Sequence, residues 1–249
     1  MADPRMRDYK MYVMINLFFL TDSEREVIRR KVARNGATVV WLYAPGFINP
    51  DTEKRMSNEN IAGLTGISVG RMDETRSPRF RVIREPHPAL RYADPDRLYG
   101  FLDRDVHSNV WLGSVLPPPF MNPAFYIDDP GAEILGRYAL DGRPALAMKR
   151  TGGFTSIYCA PQILRSELLA SFAEYSGCHL YTHTDDCVFA NQNFVAVHAH
   201  FTGNRTLYFP ERCSPYEVYQ RRWYGNNVRK IELSMRRGET LMFSLKGRC

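Results

Sequence analysis

The sequence predicts an α/β fold, with a parallel sheet in its first part and an antiparallel β extension at its end. Three observations predict it. A strand–helix–strand pattern fills residues 12–43, short strand candidates separated by turn signals fill residues 194–245, and no repeat or clean boundary divides the two. We therefore expect a single domain of 249 residues, with an α/β part over about residues 9–200 and a β-rich extension over about residues 201–249.

The opening segment has the pattern of a βαβ unit. Tyr12–Leu20 is an apolar run rich in aromatic and β-branched residues, which is typical of a strand buried on both faces. Ser23 and Glu26 match a capping box, so a helix is expected to start there and to end before Gly36. Thr38–Tyr43 is a second buried strand candidate. A strand, a helix and a strand within about 35 residues predict parallel strands with a right-handed crossover.

The middle of the chain carries weaker signals. Ser57 is expected to cap a short helix that ends at Gly66. From Arg71 to Pro123 the periodicity fades, prolines are frequent, and Phe80–Ile83 is the one strand candidate. A loop this long in a compact domain is usually functional or packed against a partner. We therefore expect it near a contact between subunits.

The remaining elements are short. Asp141-Gly142 predicts a hairpin turn. Leu164, Leu168 and Phe172 recur at helical spacing, so a helix is expected from near Ile163 to Gly177. The strand candidates are Ala124–Asp128, Glu133–Leu140, Ala145–Lys149, Thr155–Tyr158, His179–Tyr181, Phe194–Phe201, Thr206–Phe209, Lys230–Met235 and Thr240–Leu245.

Composition excludes several classes of protein. Hydrophobic residues make up 44% of the chain and charged residues 24%, which is typical of a globular protein and not of a disordered or collagen-like one. The net charge of +6 is modest and spread along the chain, so nucleic acid is not expected as a partner. The longest apolar run, Met11–Leu20, is too short to span a membrane. Five irregularly spaced cysteines and the absence of a secretory signal predict a reducing, cytoplasmic setting.

Cys159 is the first candidate for catalysis. It follows a predicted strand and precedes a predicted helix, where a nucleophile elbow would place its residue and where a helix N-terminus would favour a thiolate. An elbow requires small residues two positions away on each side, and here those positions hold Ile157 and Pro161. The favoured interpretation is therefore a buried thiol that fills space.

A second candidate group combines His183, Asp186 and His198. On a strand, His198 and His200 would share one face and, with a carboxylate, suit a divalent metal. A His-x-His pair without a third ligand is weak support, and such a pair also occurs on the exposed face of an antiparallel strand. We expect no metal and no cofactor. The adjacent aspartates Asp185 and Asp186 do not by themselves show the spacing of a glycosidase pair.

Two tryptophans are candidates for ligand binding. Trp111 and Trp223 lie in irregular, polar surroundings, whereas Trp41 lies in a buried strand candidate. An indole in a polar setting stacks on a sugar ring or packs against another subunit. Carbohydrate is therefore a possible ligand of the chain.

Several segments together match the pattern of a known family. They are RNGATVVWLYAPG (34–46), SNENI (57–61), LTGI (64–67), GFTSIY (153–158), LYTHTDD (180–186) with AN (190–191), VAVHA (195–199) and GET (238–240). Together they resemble the glutamine amidotransferase-like module found behind the catalytic barrel of large β-galactosidase-like glycoside hydrolases, which in the β-galactosidases is called the trimerisation domain. The resemblance runs from about Tyr9 to Phe243. His183 stands where that module is expected to carry Asp.

The resemblance implies a flavodoxin-like, class I glutamine amidotransferase-like fold without amidotransferase chemistry. Active relatives carry a glycine-flanked Cys and a late His and Glu pair, whereas Cys159 lacks those flanks and no His-x-Glu pair is present. In the large hydrolases the sugar chemistry belongs to a separate barrel with two acidic residues. No barrel precedes Met1, so we expect either a carboxyl-terminal module of a larger enzyme or a stand-alone descendant.

The function expected from these observations is a non-catalytic oligomerisation and scaffold module. Its partners would be copies of itself, with a trimer favoured, and a glycoside hydrolase barrel. Two alternatives stay open. One is a stand-alone hydrolase of a glycoside or an ester, with Cys159, His183, Asp186 and His198 as its machinery. The other is a carbohydrate-binding module that uses Trp111 or Trp223.

Overall fold

The chain divides into two compact units between Cys178 and His179. The computed structural model describes residue 3, residues 5–100 and residues 120–246, and each unit has its own hydrophobic core. The division falls earlier than the boundary near residue 200 suggested by the sequence. The reason is that the strand beginning at Phe194 pairs with the closing strand Thr240–Ser244, so it belongs to the β-rich unit.

The first unit is built around a six-stranded sheet. Its elements in chain order are β1 (Met11–Met14), α1 (Asp22–Ala33), β2 (Thr38–Leu42), α2 (Asn58–Thr65), β3 (Val69–Met72), β4 (Phe80–Val82), a 3₁₀ turn (Pro88–Leu90), β5 (Ala124–Ile127), β6 (Glu133–Tyr138), β7 (Pro144–Arg150), β8 (Thr155–Cys159) and α3 (Ser166–Tyr175). The strand order is β1-β2-β8-β7-β6-β4, and β3 pairs with β5 in a separate two-stranded sheet.

This sheet is mixed, so the prediction of a parallel sheet holds for part of it. Strands β1 and β2 run parallel, as the βαβ pattern predicts, and β8 is also parallel to β2. Strands β7, β6 and β4 are antiparallel to their neighbours. Connection length explains the difference. Only residues 151–154 join β7 to β8, whereas a parallel connection needs a dozen or more residues.

Helix α1 begins slightly earlier than predicted. Thr21 is its N-cap, and Thr21 and Glu24 form the capping box, so the prediction of Ser23 and Glu26 was wrong. Both pairs have the same S/T-x-x-E spacing, and sequence alone does not distinguish them. Strand β1 is also shorter than predicted, because Asn16 adopts a φ of +55° two residues after the strand ends.

The other two helices match their predicted signals. The Ser57 hydroxyl accepts from the backbone N–H of Asn60, and Gly66 closes α2 with a φ of +76°. Gly177, which follows α3, also has a positive φ. The helices contain 12, 8 and 10 residues. In the described ranges no helix combines the length and apolar character needed to cross a bilayer.

The second unit is antiparallel. Its strands are β9 (Cys187–Ala190), β10 (Phe194–His198), β11 (Gly203–Cys213), β12 (Tyr216–Glu217), β13 (Arg222–Trp223), β14 (Val228–Met235) and β15 (Thr240–Ser244). Five of them form a sheet in the order β13-β12-β15-β10-β9, and β11 pairs with β14. Alternate residues of both sheets, such as Val195, Phe243, Leu207 and Leu233, build the core. The strand predicted at His179–Tyr181 was wrong, since those residues form no strand.

Candidate functional site

The carboxyl ends of β1, β2 and β8 form an edge where open α/β sheets commonly place ligands. Tyr43 follows β2 with a φ of +65°, a conformation that a bulky residue rarely adopts. Its N–H donates to the Cys159 carbonyl at 2.9 Å, and its carbonyl accepts from the Tyr158 hydroxyl. Its ring packs edge-on against Phe18 and Phe125. The aromatic side chains of Tyr43, Phe18 and Phe125 therefore pack together at this edge, where other α/β proteins bind ligands.

Cys159 ends β8 and is fully buried in the first core. Ala160 continues the sheet, because its N–H donates to the Ala145 carbonyl at 2.9 Å. Helix α3 starts only at Ser166, so Cys159 does not lie at a helix N-terminus. Burial raises the pKa of the Cys159 thiol to about 12. The thiol is therefore protonated at neutral pH and lies away from solvent.

We expect Cys159 to resist alkylation in the folded protein. The exposed Cys187 thiol is the internal control, since it reacts without any opening of the chain. Incubation with a maleimide at neutral pH, followed by peptide mass spectrometry, should show Cys187 modified at least about 100-fold faster than Cys159, and comparable rates for both in denaturant. Equal rates in the folded state would contradict the buried position.

Asp186 forms an ion pair with Arg205 inside the second unit. The Asp186 Oδ1 and Arg205 Nη1 atoms are 2.7 Å apart, and the two side chains are 0% and 1% exposed. The same Oδ1 accepts from the His200 N–H at 2.9 Å, and the Thr184 hydroxyl donates to Oδ2. The Arg205 guanidinium also lies over the Phe201 ring, 4.7 Å from its centre. Asp186 thus ties the segment before β9 to β11.

The two candidate histidines of the second unit have different surroundings. His183 is exposed, and its ring meets the Tyr208 ring edge-on at 4.9 Å. His198 is exposed at the end of β10, and its Nδ1 lies 2.8 Å from the Thr240 hydroxyl. Cys159 belongs to the first unit and the three other catalytic candidates to the second.

The possible His-x-His metal pair lies at a strand end. Strand β10 stops at His198, so His200 lies beyond its last paired residue. Within residues 5–100 and 120–246, no cluster of three or more His, Cys, Asp or Glu side chains is placed to hold a metal ion.

Trp223 is half-exposed on β13, an edge strand of the second unit. Its ring meets the Tyr216 ring on β12 at 5.1 Å in an edge-on arrangement. The other candidate, Trp111, lies outside the described residues. Trp223 therefore presents an indole surface beside a second aromatic ring.

Arg25 is a buried cation that the sequence reasoning missed. Its guanidinium donates to three backbone carbonyls, those of Leu20, Asn60 and Gly46, with the Asn60 contact at 2.7 Å. Burial lowers the pKa of Arg25. One sequence signal could have identified it. Arg25 lies three residues before Ile28, which places it on the apolar stripe of α1 and predicts a buried side chain. Arg25 joins α1, α2 and the loop after β2.

Glu217 is a second buried charged residue that was missed. Its side chain is fully buried, and its carboxylate accepts from the N–H groups of Gln220 and Met242. No local sequence signal marks this position. Glu217 sets the conformation of the turn that joins β12 to β13.

The chain is similar in three-dimensional structure to known proteins, and these matches are to solved structures. No protein-family model matches the chain, and no curated protein matches it. The β-galactosidase of Bacillus circulans sp. alkalophilus matches with 18% identity and a TM-score of 0.57, over 96% of this chain and 34% of that one. The β-galactosidase of the haloarchaeon Halorubrum lacusprofundi matches with 15% identity and a TM-score of 0.54, over 97% and 32%. That of Rahnella sp. R3 matches with 16% identity and a TM-score of 0.53, over 95% and 32%. The chain spans about a third of the length of these enzymes and shares the fold of that part.

Proposed function

We propose that this chain is a non-catalytic oligomerisation and scaffold module associated with glycoside hydrolases of the β-galactosidase type. The observation that carries the proposal is the match of nearly the whole chain to about a third of several β-galactosidase chains. The parallel β1-β2-β8 part supports assigning the chain to the glutamine amidotransferase-like, trimerisation-type module. Its proposed partners are further copies of the chain and a glycoside hydrolase barrel.

The state of the candidate catalytic groups supports a role without catalysis. The Cys159 thiol is buried and protonated, and the Asp186 carboxylate is engaged by Arg205. A nucleophile has to be exposed and activated to react, and a general base needs a free oxygen within reach of substrate.

A panel of aryl glycosides and aryl esters tests this proposal against a stand-alone hydrolase. The purified chain should release no more aryl alcohol than the buffer does. The Cys159→Ser and His198→Ala variants serve as matched controls. Saturable turnover that falls at least about 100-fold in either folded variant would contradict the proposal and favour the hydrolase.

We expect the chain to form a homo-oligomer, with a trimer favoured. The sequence reason is the apolar, aperiodic stretch within Arg71–Pro123, whose residues 101–119 lie outside the described residues. A stable contact requires about 800 Å² per partner, or roughly 20 to 30 residues on each side. Multi-angle light scattering at micromolar protein should give the mass of a trimer of the 28.7 kDa chain.

A monomer mass at every concentration would contradict the oligomer. The double variant Trp111→Ala and Leu112→Asp tests the location of the contact. If this variant remains a trimer, the contact lies outside the stretch.

A further inference from the structure

The five-stranded sheet of the second unit has an outer face, opposite the face that builds the core. Val195 and Val197 of β10 point into the core, so Phe194 and Ala196 point away from it. Strand register extends this face across the sheet, because residues directly opposite each other share a face. Its apolar members are Phe189, Phe194, Ala196, Met242, Tyr216 and Trp223.

Aromatic rings stand at both edges of the outer face. Phe189 on β9 is 73% exposed and Trp223 on β13 is 46% exposed. These two strands are the outermost of the sheet, four strand spacings or about 19 Å apart. By register, Ala196, Met242 and Tyr216 lie between them and are partly exposed, whereas Ser244 is buried. The face between the two exposed rings is therefore apolar and partly accessible to solvent.

The outer face is uncharged. By register, its polar residues include His198, Thr240 and Ser244, and no Asp, Glu, Lys or Arg belongs to the described positions of this face. The His198 Nδ1 is bonded to the Thr240 hydroxyl at 2.8 Å, while its Nε2 has no hydrogen-bond partner among the described residues. A ligand here has to be neutral, with flat apolar patches and hydroxyl groups around them. Sugar rings have that combination.

The size of the outer face argues against a protein partner. Three strands of four or five residues and two strands of two residues, at about 4.8 Å spacing and about 3.4 Å per residue, cover roughly 300 Å². A stable protein contact requires about 800 Å² per partner. The face is large enough for a short oligosaccharide and too small to hold a second copy of the chain by itself.

We propose that this outer face binds a neutral oligosaccharide, with Trp223 and Phe189 stacking on sugar rings and His198 hydrogen-bonding a hydroxyl. The proposal goes beyond the scaffold role and rests on a different observation, the residues of one sheet face. Rings at both edges allow one chain of sugars to contact both aromatic residues. Glu217, buried beneath the β12–β13 turn, stabilises the hairpin that carries Trp223.

Titration calorimetry with β-1,4-galactotetraose, cellotetraose and maltotetraose tests the proposal. At least one of them should bind, and the Trp223→Ala and Phe189→Ala variants should each weaken its binding about tenfold, as expected for the loss of one stacked ring. The Trp223→Phe variant keeps a ring and should keep most of the affinity. The matched control is Tyr219→Ala, an exposed aromatic residue in the turn between β12 and β13, which should bind like the unaltered chain.

Three outcomes would overturn the proposal. The first is no binding of any of the three tetraoses at millimolar concentration. The second is unchanged binding by both alanine variants with their folding intact. The third is a lower oligomer mass in those variants, which would make the face a contact between copies. If the wild-type chain is monomeric or hydrolyses the aryl substrates, the scaffold role is contradicted. The calorimetry still tests oligosaccharide binding in that case, because it measures binding directly.

Discussion

Replacing Asp186 by Asn is expected to lower the unfolding free energy of the second unit by about 3–5 kcal/mol. The variant removes the negative charge that compensates Arg205, and both side chains are almost completely buried. An isolated buried guanidinium costs far more than an exposed one, because protein surroundings do not replace its hydration. Asn has nearly the same size as Asp, so the change in unfolding free energy measures the loss of the charge and of its hydrogen bonds.

Hydrogen exchange read by mass spectrometry measures this effect within residues 179–246. The matched control is Asp185→Asn, because this neighbouring carboxylate is exposed and its loss should change stability by no more than about 0.5 kcal/mol. The double variant Asp186→Leu with Arg205→Met removes both charges and should recover part of the lost stability, because the His200 N–H and the Thr184 hydroxyl still lose their acceptor. A loss below about 1 kcal/mol in Asp186→Asn would show that the Arg205 charge is compensated in another way.

Replacing Arg25 by Ala is expected to destabilise the first unit by about 3 kcal/mol or more. Three buried carbonyls, those of Leu20, Asn60 and Gly46, lose the hydrogen bond from the guanidinium at once, although the Asn60 carbonyl keeps its bond within α2. Each buried acceptor left without a partner costs about 1–3 kcal/mol. The loop after β2 would lose its connection to α1 and α2, so protection from exchange should fall first in that loop.

The control for this variant lies on the same helix. Arg30 is exposed and pairs with Glu26 at 3.2 Å, one helical turn away. Its replacement by Ala should cost only about 0.3–0.5 kcal/mol. Equal effects of Arg25→Ala and Arg30→Ala in denaturant unfolding would show that the three carbonyl contacts contribute little.

The structural role of Asp186 affects how the activity of its variants should be interpreted. Asp186 is also a candidate catalytic residue, so a variant that loses activity through it has to be checked for folding first. His198 is the better probe of catalysis, because it is exposed and its bond to Thr240 lies at a strand end. Its replacement should leave the second core intact.

Local signals predicted the local structure well. The Ser57 cap, the Gly66 and Gly177 stops and the fully buried strand over Thr38–Leu42 all appear in the structure. Each depends on neighbours within a few residues, such as a hydroxyl three positions from an amide or a glycine free to take a positive φ. The start of α1 was missed by two residues because two overlapping capping boxes compete. The strands of only two residues, β12 and β13, carry no detectable period.

The sequence by itself determined the helices, the hairpin turns, the parallel β1–β2 pair and the candidate residues. Tertiary structure alone decided the strand order, the division at Cys178 and the surroundings of each candidate. Asp186 meets Arg205 across 19 positions, and Arg25 meets Asn60 across 35. Burial and pairing depend on contacts between distant segments, and a local pattern does not record which segments meet. For the same reason, Trp223 and Phe189 share one sheet face only because the register of five strands aligns them.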